Sequence, residues 1–174
     1  MATYTLISSV TVGAGGASTI SFTSIPQTYT DLCLMFSARV DATIGDSYYN
    51  SYLLTNAFPL NGGASTRYLL GNGSSVSSAS DGNNILLLGV TSSGATASTF
   101  GNTVAYFTNY ASTTLNKSVS IDQVSENNAT ASAAMLSAGL YPANTAITSI
   151  TIDPFSTGNF VQYSTAYLYG ISNA

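Results

Sequence analysis

Ser18-Thr19-Ile20-Ser21-Phe22-Thr23 sets an apolar side chain at every second position, and Ser118-Val119-Ser120-Ile121-Asp122 repeats that pattern in the second half of the chain. Side chains of a strand point alternately to its two faces, so each segment buries one face and wets the other. Runs of this kind recur along the chain, bounded by Gly, Asn, Ser or Pro, and helical periodicity is almost absent. The expected strands are Thr3–Val12, Ser18–Ile25, Asp31–Val40, Tyr48–Leu54, Thr66–Leu70, Ile85–Val90, Asn102–Tyr110, Lys117–Val124, Ala131–Leu140, Ala146–Ile152 and Phe160–Ile171. Short strands at this spacing with no helix between them predict an all-β antiparallel β-sandwich, one domain over 1–174, with a jelly roll as the leading topology. An immunoglobulin-like domain is disfavoured, since Trp is absent and Cys33 has no second cysteine to bridge to.

The expected core is Leu6, Ile20, Phe22, Leu32, Leu34, Phe36, Leu86, Leu88, Val104, Phe107, Val119, Ile121, Ile150, Ile152 and Leu168. Gly13-Ala14-Gly15-Gly16 supplies residues free to take positive φ and reads as a hairpin that pairs the first two strands. Pro26 and Pro154 stand where strands stop, because proline has no N–H for a ladder. Asn56–Gly63, Gly71–Asn84 and Thr91–Thr99 are rich in Gly, Ser, Asn and Ala and read as surface loops, with Ser74–Ser80 the stretch most open to deletion.

Of 174 residues only 6% are charged, three Lys or Arg against seven Asp or Glu, for a net charge of −4. Ordinary globular domains carry roughly 25% charged residues, so this surface must be solvated by hydroxyl and amide groups. A basic footprint for nucleic acid or anionic lipid is excluded. His is absent, which removes the commonest general base and any Ser-His-Asp triad. The carboxylates Asp31, Asp41, Asp46, Asp81, Asp122, Glu126 and Asp153 are scattered. Asp41 and Asp46 together resemble a glycosidase pair only faintly, and a loop whose Asp side chains cap their own backbone accounts for them better. Asp81-Gly82-Asn83-Asn84 and Glu126-Asn127-Asn128 have calcium-loop composition without EF-hand spacing, and Asx turns explain them. No catalytic residue, cofactor or metal is expected.

Cys33, between Leu32 and Leu34, reads as a small buried hydrophobe. Ser and Thr are so abundant that 14 Asn would yield about four glycosylation sequons by chance, so those at Asn72, Asn116 and Asn128 carry no information. The N-terminus lacks the pattern of a secretory signal, and Ile85–Val90 is too short to span a bilayer, so the expectation is a soluble protein made in the cytosol. The chain holds twelve Tyr and no Trp. Tyr48 and Tyr49 cannot both face a core, so one ring is expected outside, as a sugar platform or a subunit anchor; they are the candidate interaction surface. Tyr163, Tyr167 and Tyr169 share a parity that suits a sandwich face closed by tyrosines.

Tyr4-Thr-Leu-Ile-Ser-Ser9, Ile25-Pro-Gln-Thr-Tyr-Thr-Asp-Leu32, Arg67-Tyr-Leu-Leu-Gly-Asn-Gly73, Asn127-Asn-Ala-Thr130, Gly158-Asn-Phe-Val-Gln-Tyr163 and Tyr169-Gly-Ile171 resemble a family of small virion-associated structural proteins of tailed bacteriophages, marine phages and cyanophages above all. The resemblance implies a structural part of the phage particle, located in the virion, and transfers no catalytic residue. The expected role is a capsid decoration, or cement, protein on the outside of the head shell. Its expected partners are the major capsid protein or other virion proteins and further copies of itself, with a homotrimer as the expected assembly. The alternative is a tail, fibre or receptor-binding protein whose jelly roll holds a host glycan. A surface with so few charges packs against subunits without desolvating them, so association is expected to depend weakly on salt.

Overall fold

The computed structural model describes residues 2–42, 51–56, 65–81, 87–126, 132–154 and 158–172, without the side chains of 51–55, 81, 87 and 88. Twelve strands form two antiparallel sheets, with no helix among the described residues. The larger has eight strands in the order β1 (Thr3–Thr11), β12 (Thr165–Ser172), β3 (Asp31–Ala38), β8 (Gly101–Phe107), β9 (Lys117–Ser125), β10 (Ala133–Tyr141), β5 (Ser65–Gly71) and β6 (Val76–Asp81). The smaller runs β2 (Ile20–Phe22), β11 (Ile150–Pro154), β4 (Ser51–Thr55) and β7 (Leu87–Leu88). The two make an all-β sandwich, as the alternation predicts.

Between the sheets lies one large apolar cluster. β2 and β11 supply Ile20, Phe22, Ile150 and Ile152, and the large sheet supplies Leu32, Leu34, Phe36, Ala105, Phe107, Val119, Ile121 and Leu168. Burying each such side chain contributes about 1.5–3 kcal/mol, the main favourable term here. Phe36 and Phe160 meet edge to face, with centroids 5.6 Å apart at 86°. β9 alternates strictly between buried odd and exposed even positions, which fixes its register against β8 and β10.

Several expectations are corrected. β1 and β2 do not pair: β1 joins β12 and β2 joins β11. The glycine turn exists, with Gly16 N–H donating to Gly13 and Gly16 at φ 71°, but it carries the chain across to the other sheet. Leu6 is 51% exposed, because a register shift between Leu6 and Ser8 leaves Ile7 and Val10 packed toward the core instead. Val104 is half-buried on the opposite side from Ala105 and Phe107, whose parity it does not share. Leu86 lies outside the described residues, as does the side chain of Leu88.

Within the expected loop Gly71–Asn84, Val76–Asp81 is strand β6, paired with β5 from Gly71↔Val76 to Thr66↔Asp81. Its Ser-Ser-Ala-Ser centre has no apolar face, so the ladder alone holds it, and periodicity could not reveal it. The expected strand Phe160–Ile171 is regular only from Thr165. Phe160 bridges Ala17 and Val40, and Tyr163 turns the chain at φ 73°. Thr91–Thr99 is the loop expected, tied down by Arg39, whose guanidinium donates to the carbonyls of Ser93, Ala95, Thr96 and Thr99.

Candidate functional site

In an antiparallel sandwich the outer face of each sheet normally belongs to water and carries polar residues. The outer face of the eight-stranded sheet does not follow that rule. Register places Leu6, Tyr169, Cys33, Tyr106, Ser120, Ala138, Arg67 and Ser80 side by side in one row across all eight strands. The adjacent row runs Ser9, Tyr167, Met35, Val104, Asp122, Leu136, Leu69 and Ser78. Leu69 and Leu136 are more than half exposed, at 53% and 57%, and they are cross-strand neighbours. Contiguous exposed apolar surface of this kind makes the face a candidate for interaction.

The face divides into two regions. On its β8 to β6 half the sheet curls into a groove of about 840 Å³ whose floor includes Val104, Tyr106, Leu136 and Leu69, with Ser78, Ser80 and Ser120 among them. Arg67 and Asp122 also line it, separated by β10. On its β1 to β8 half sits a tyrosine cluster: Tyr4 packs edge-on against Tyr169 at 6.4 Å, beside Tyr106 and Tyr167. Cys33 lies between Tyr169 and Tyr106 in register and is buried although its side chain belongs to the outer face. Burial pushes its thiol pKa up, away from the reactive thiolate.

Asp31 closes the cluster from below. It is 6% exposed and accepts from the Tyr106 hydroxyl at 2.7 Å and from the Asn109 N–H at 2.8 Å. Donation to this carboxylate, aided by burial, pushes the Tyr106 phenol up to about 12. Both lone acidic and basic chemistry are thereby quenched: the carboxylate is spent on two donors, and the phenol stays neutral.

The cations are similarly engaged. Arg39 is spent on loop carbonyls. Lys117 is fully buried and donates to the carbonyls of Ser112, Ala143 and Thr145 at 2.6, 3.2 and 2.6 Å, and burial lowers its pKa. Arg67, exposed in the groove, is left as the cation that faces solvent.

Tyr48, Tyr49 and Asp46 lie outside the described residues, so the expected tyrosine anchor and the Asp41–Asp46 pair have no described geometry. The loop that Asp41 is expected to cap lies outside the described residues from position 43 on. Asp41 accepts from the Asn159 N–H at 2.7 Å, joining two distant segments. Asn72 does form an Asx turn, accepting from the N–H groups of Ser74 and Ser75. The three tyrosines expected to share a face part company: Tyr167 and Tyr169 stand on the outer face, away from the core between the sheets, and Tyr163 is 68% exposed in a turn. No group of three or more metal-ligating side chains occurs among the described residues.

The outer-face residues Leu6, Leu69, Val104, Tyr106 and Leu136 were open to discovery from the sequence. Leu69-Leu70, Met135-Leu136 and Val104-Ala105-Tyr106-Phe107 break the apolar and polar alternation, and a strand apolar at both parities is covered, or awaits covering, on both faces. No protein family, curated protein or solved structure matches the chain.

Proposed function

We propose that the chain is a non-catalytic structural protein of a tailed-phage virion, a decoration protein that binds the outside of the head shell. One observation carries this: the outer face of the eight-stranded sheet offers apolar and tyrosine side chains over both halves, with Arg67 and Asp122 as the charges in its groove. A partner binding there displaces water from apolar area and desolvates few charges, the terms that favour permanent subunit contacts. The Asp31, Lys117 and Arg39 side chains are spent on structure, which fits a building part better than a catalyst.

The strand order supports the jelly-roll reading. With the hairpins β5-β6 and β9-β10 set aside, the other strands pair first with last and second with last but one, and so inward: β1 with β12, β2 with β11, β3 with β8, β4 with β7. Along that ribbon successive strands alternate between the two sheets, except at its closed end, where β4 and β7 pair with each other in the smaller sheet. One long antiparallel ribbon rolled upon itself gives this order, a frequent architecture of capsid and lectin domains. Fold alone assigns no function, so the outer face remains the carrier.

The groove favours a second reading, host-glycan binding by a tail or fibre protein, because Arg67, Asp122 and three serine hydroxyls stand among apolar side chains as sugar recognition requires. Particles carrying Leu136→Asp or Leu69→Asp separate the two. Decoration predicts occupancy falling by about tenfold or more, as for a contact at the centre of an interface. Full occupancy with lost adsorption to cells would replace the decoration reading by the glycan one.

A further inference from the structure

Each sheet has two edges, and three of the four are blunted. β2 and β7 are three and two residues long, and β1 is broken by its register shift between Leu6 and Ser8. Short edges and bulges are the ordinary devices against strand addition. β6, six residues long, has none of them: its register with β5 is unbroken, and it contains no Lys and no Pro, with its one charge, Asp81, at the very end of the strand.

Which backbone groups this edge offers follows from the turn before it. The Asn72 N–H donates to the Ser75 carbonyl at 3.2 Å, so Asn72 and Ser75 are a hydrogen-bonded pair. Antiparallel ladders alternate bonded and non-bonded pairs. Leu70 with Ser77 and Tyr68 with Ala79 are then bonded pairs, and the N–H and C=O groups of Val76, Ser78 and Ser80 point away from β5. On the same edge Val76 is 80% exposed, the most exposed large hydrophobic residue among those described.

We infer that β6 pairs with β6 of a second copy, antiparallel about a two-fold axis at Ser78, to give one continuous sheet across both protomers. The pairing is self-complementary: Ser78 meets Ser78 of the other copy, and Val76 meets Ser80, each exchanging both backbone hydrogen bonds. It sets Val76 next to the partner's Ser80 and, one strand further, the aliphatic stem of the partner's Arg67, since Arg67 and Ser80 are register neighbours. No like charges oppose each other along the paired strands. Leu136, Leu69 and Ser78 share a row, so the two grooves become continuous across the axis. An isologous two-fold of this kind is the commonest closed symmetry, and it differs from the expected trimer. The inference holds whether or not the chain is a virion part.

Sedimentation of the full chain, with amide hydrogen exchange, tests it. Wild type should sediment as a dimer, with the Val76, Ser78 and Ser80 amides slowed. Ser78→Pro removes a donor that β5 does not use, and should raise the dimer Kd at least about tenfold while the monomer stays folded. Ser78→Lys sets two cations face to face across the axis and should weaken the dimer in the same sense at low salt, whatever the proline does to folding. A wild type that stays monomeric at about 100 μM would overturn the inference. So would a dimer or trimer that both variants leave intact, which would place the contact on another surface.

Discussion

At the scale of single residues, two of the carboxylates that sequence arithmetic leaves as candidates for chemistry, Asp31 and Asp41, hold the fold. Tyr106 and Asp31 show how. They are 75 positions apart, and register brings them together because β3 and β8 are neighbours, which a single sequence does not display. Tyr106→Phe removes the donor but leaves Asp31 the Asn109 N–H, so the expected loss is about 1 kcal/mol at neutral pH, the scale of one partly exposed hydrogen bond. The pH dependence has a definite sign. The folded phenol titrates at about 12 against 10.0 for a free one, so the folded state holds this proton more tightly. Its contribution is whole below pH 10 and is lost as pH climbs from 10 to 12. Ultraviolet titration should show late-ionising tyrosines, the buried Tyr110 among them, and one fewer in Tyr106→Phe, and denaturant melts of the two proteins should converge near pH 12. Equal slopes in both proteins over that range would deny the pairing any energetic role.

At the scale of elements, legibility follows physical cause. β9 was readable because its buried and exposed positions alternate without a break, and β3 because Leu32, Leu34 and Phe36 recur at every second position of an apolar run, although Asp31 before them and Cys33 between them are buried as well. β6 was not, since a strand with no apolar face leaves no periodic trace. The start of β1 misled because one register shift exchanges the faces of every residue beyond it. The outer face was half legible: doubled apolar residues in β5, β8 and β10 announce two covered sides, but only the sheet order says that they lie in one row. Lys117, at the first position of β9, was invisible as a structural residue. It reaches back to the turn at Ser112 and across to the segment 143–145, so it ties both ends of the β9-β10 hairpin. Lys117→Met fills similar space but strands three part-buried carbonyls, with an expected cost of about 1–3 kcal/mol. Burial holds the folded amine's pKa below 10.5, so the unfolded chain binds that proton more tightly. This group alone makes stability rise as pH climbs toward 10.5, opposite in sign to Tyr106. Urea melts of the variant check the cost, and a loss under about 0.5 kcal/mol would mean the three bonds contribute nothing.

At the scale of the whole molecule, the scarcity of charge and the character of the outer face have one common consequence. The chain has three cationic groups. Two of them, Arg39 and Lys117, are spent on internal carbonyls, which leaves Arg67 to act at a surface. One exposed cation cannot steer or hold a partner through a field that salt screens within about 8–10 Å. Apolar contact through Leu69, Leu136, Val104 and the tyrosine cluster has the opposite signature: it survives salt, strengthens in kosmotropic salts and has a negative heat-capacity change. On the decoration proposal, binding of the purified chain to stripped heads should therefore change by less than about threefold between low and high sodium chloride, since a single rim charge is worth little. It should tighten in ammonium sulfate, and calorimetry at several temperatures should give a falling enthalpy as temperature rises. A tenfold or larger loss with sodium chloride would shift the contact to a charged surface away from this face.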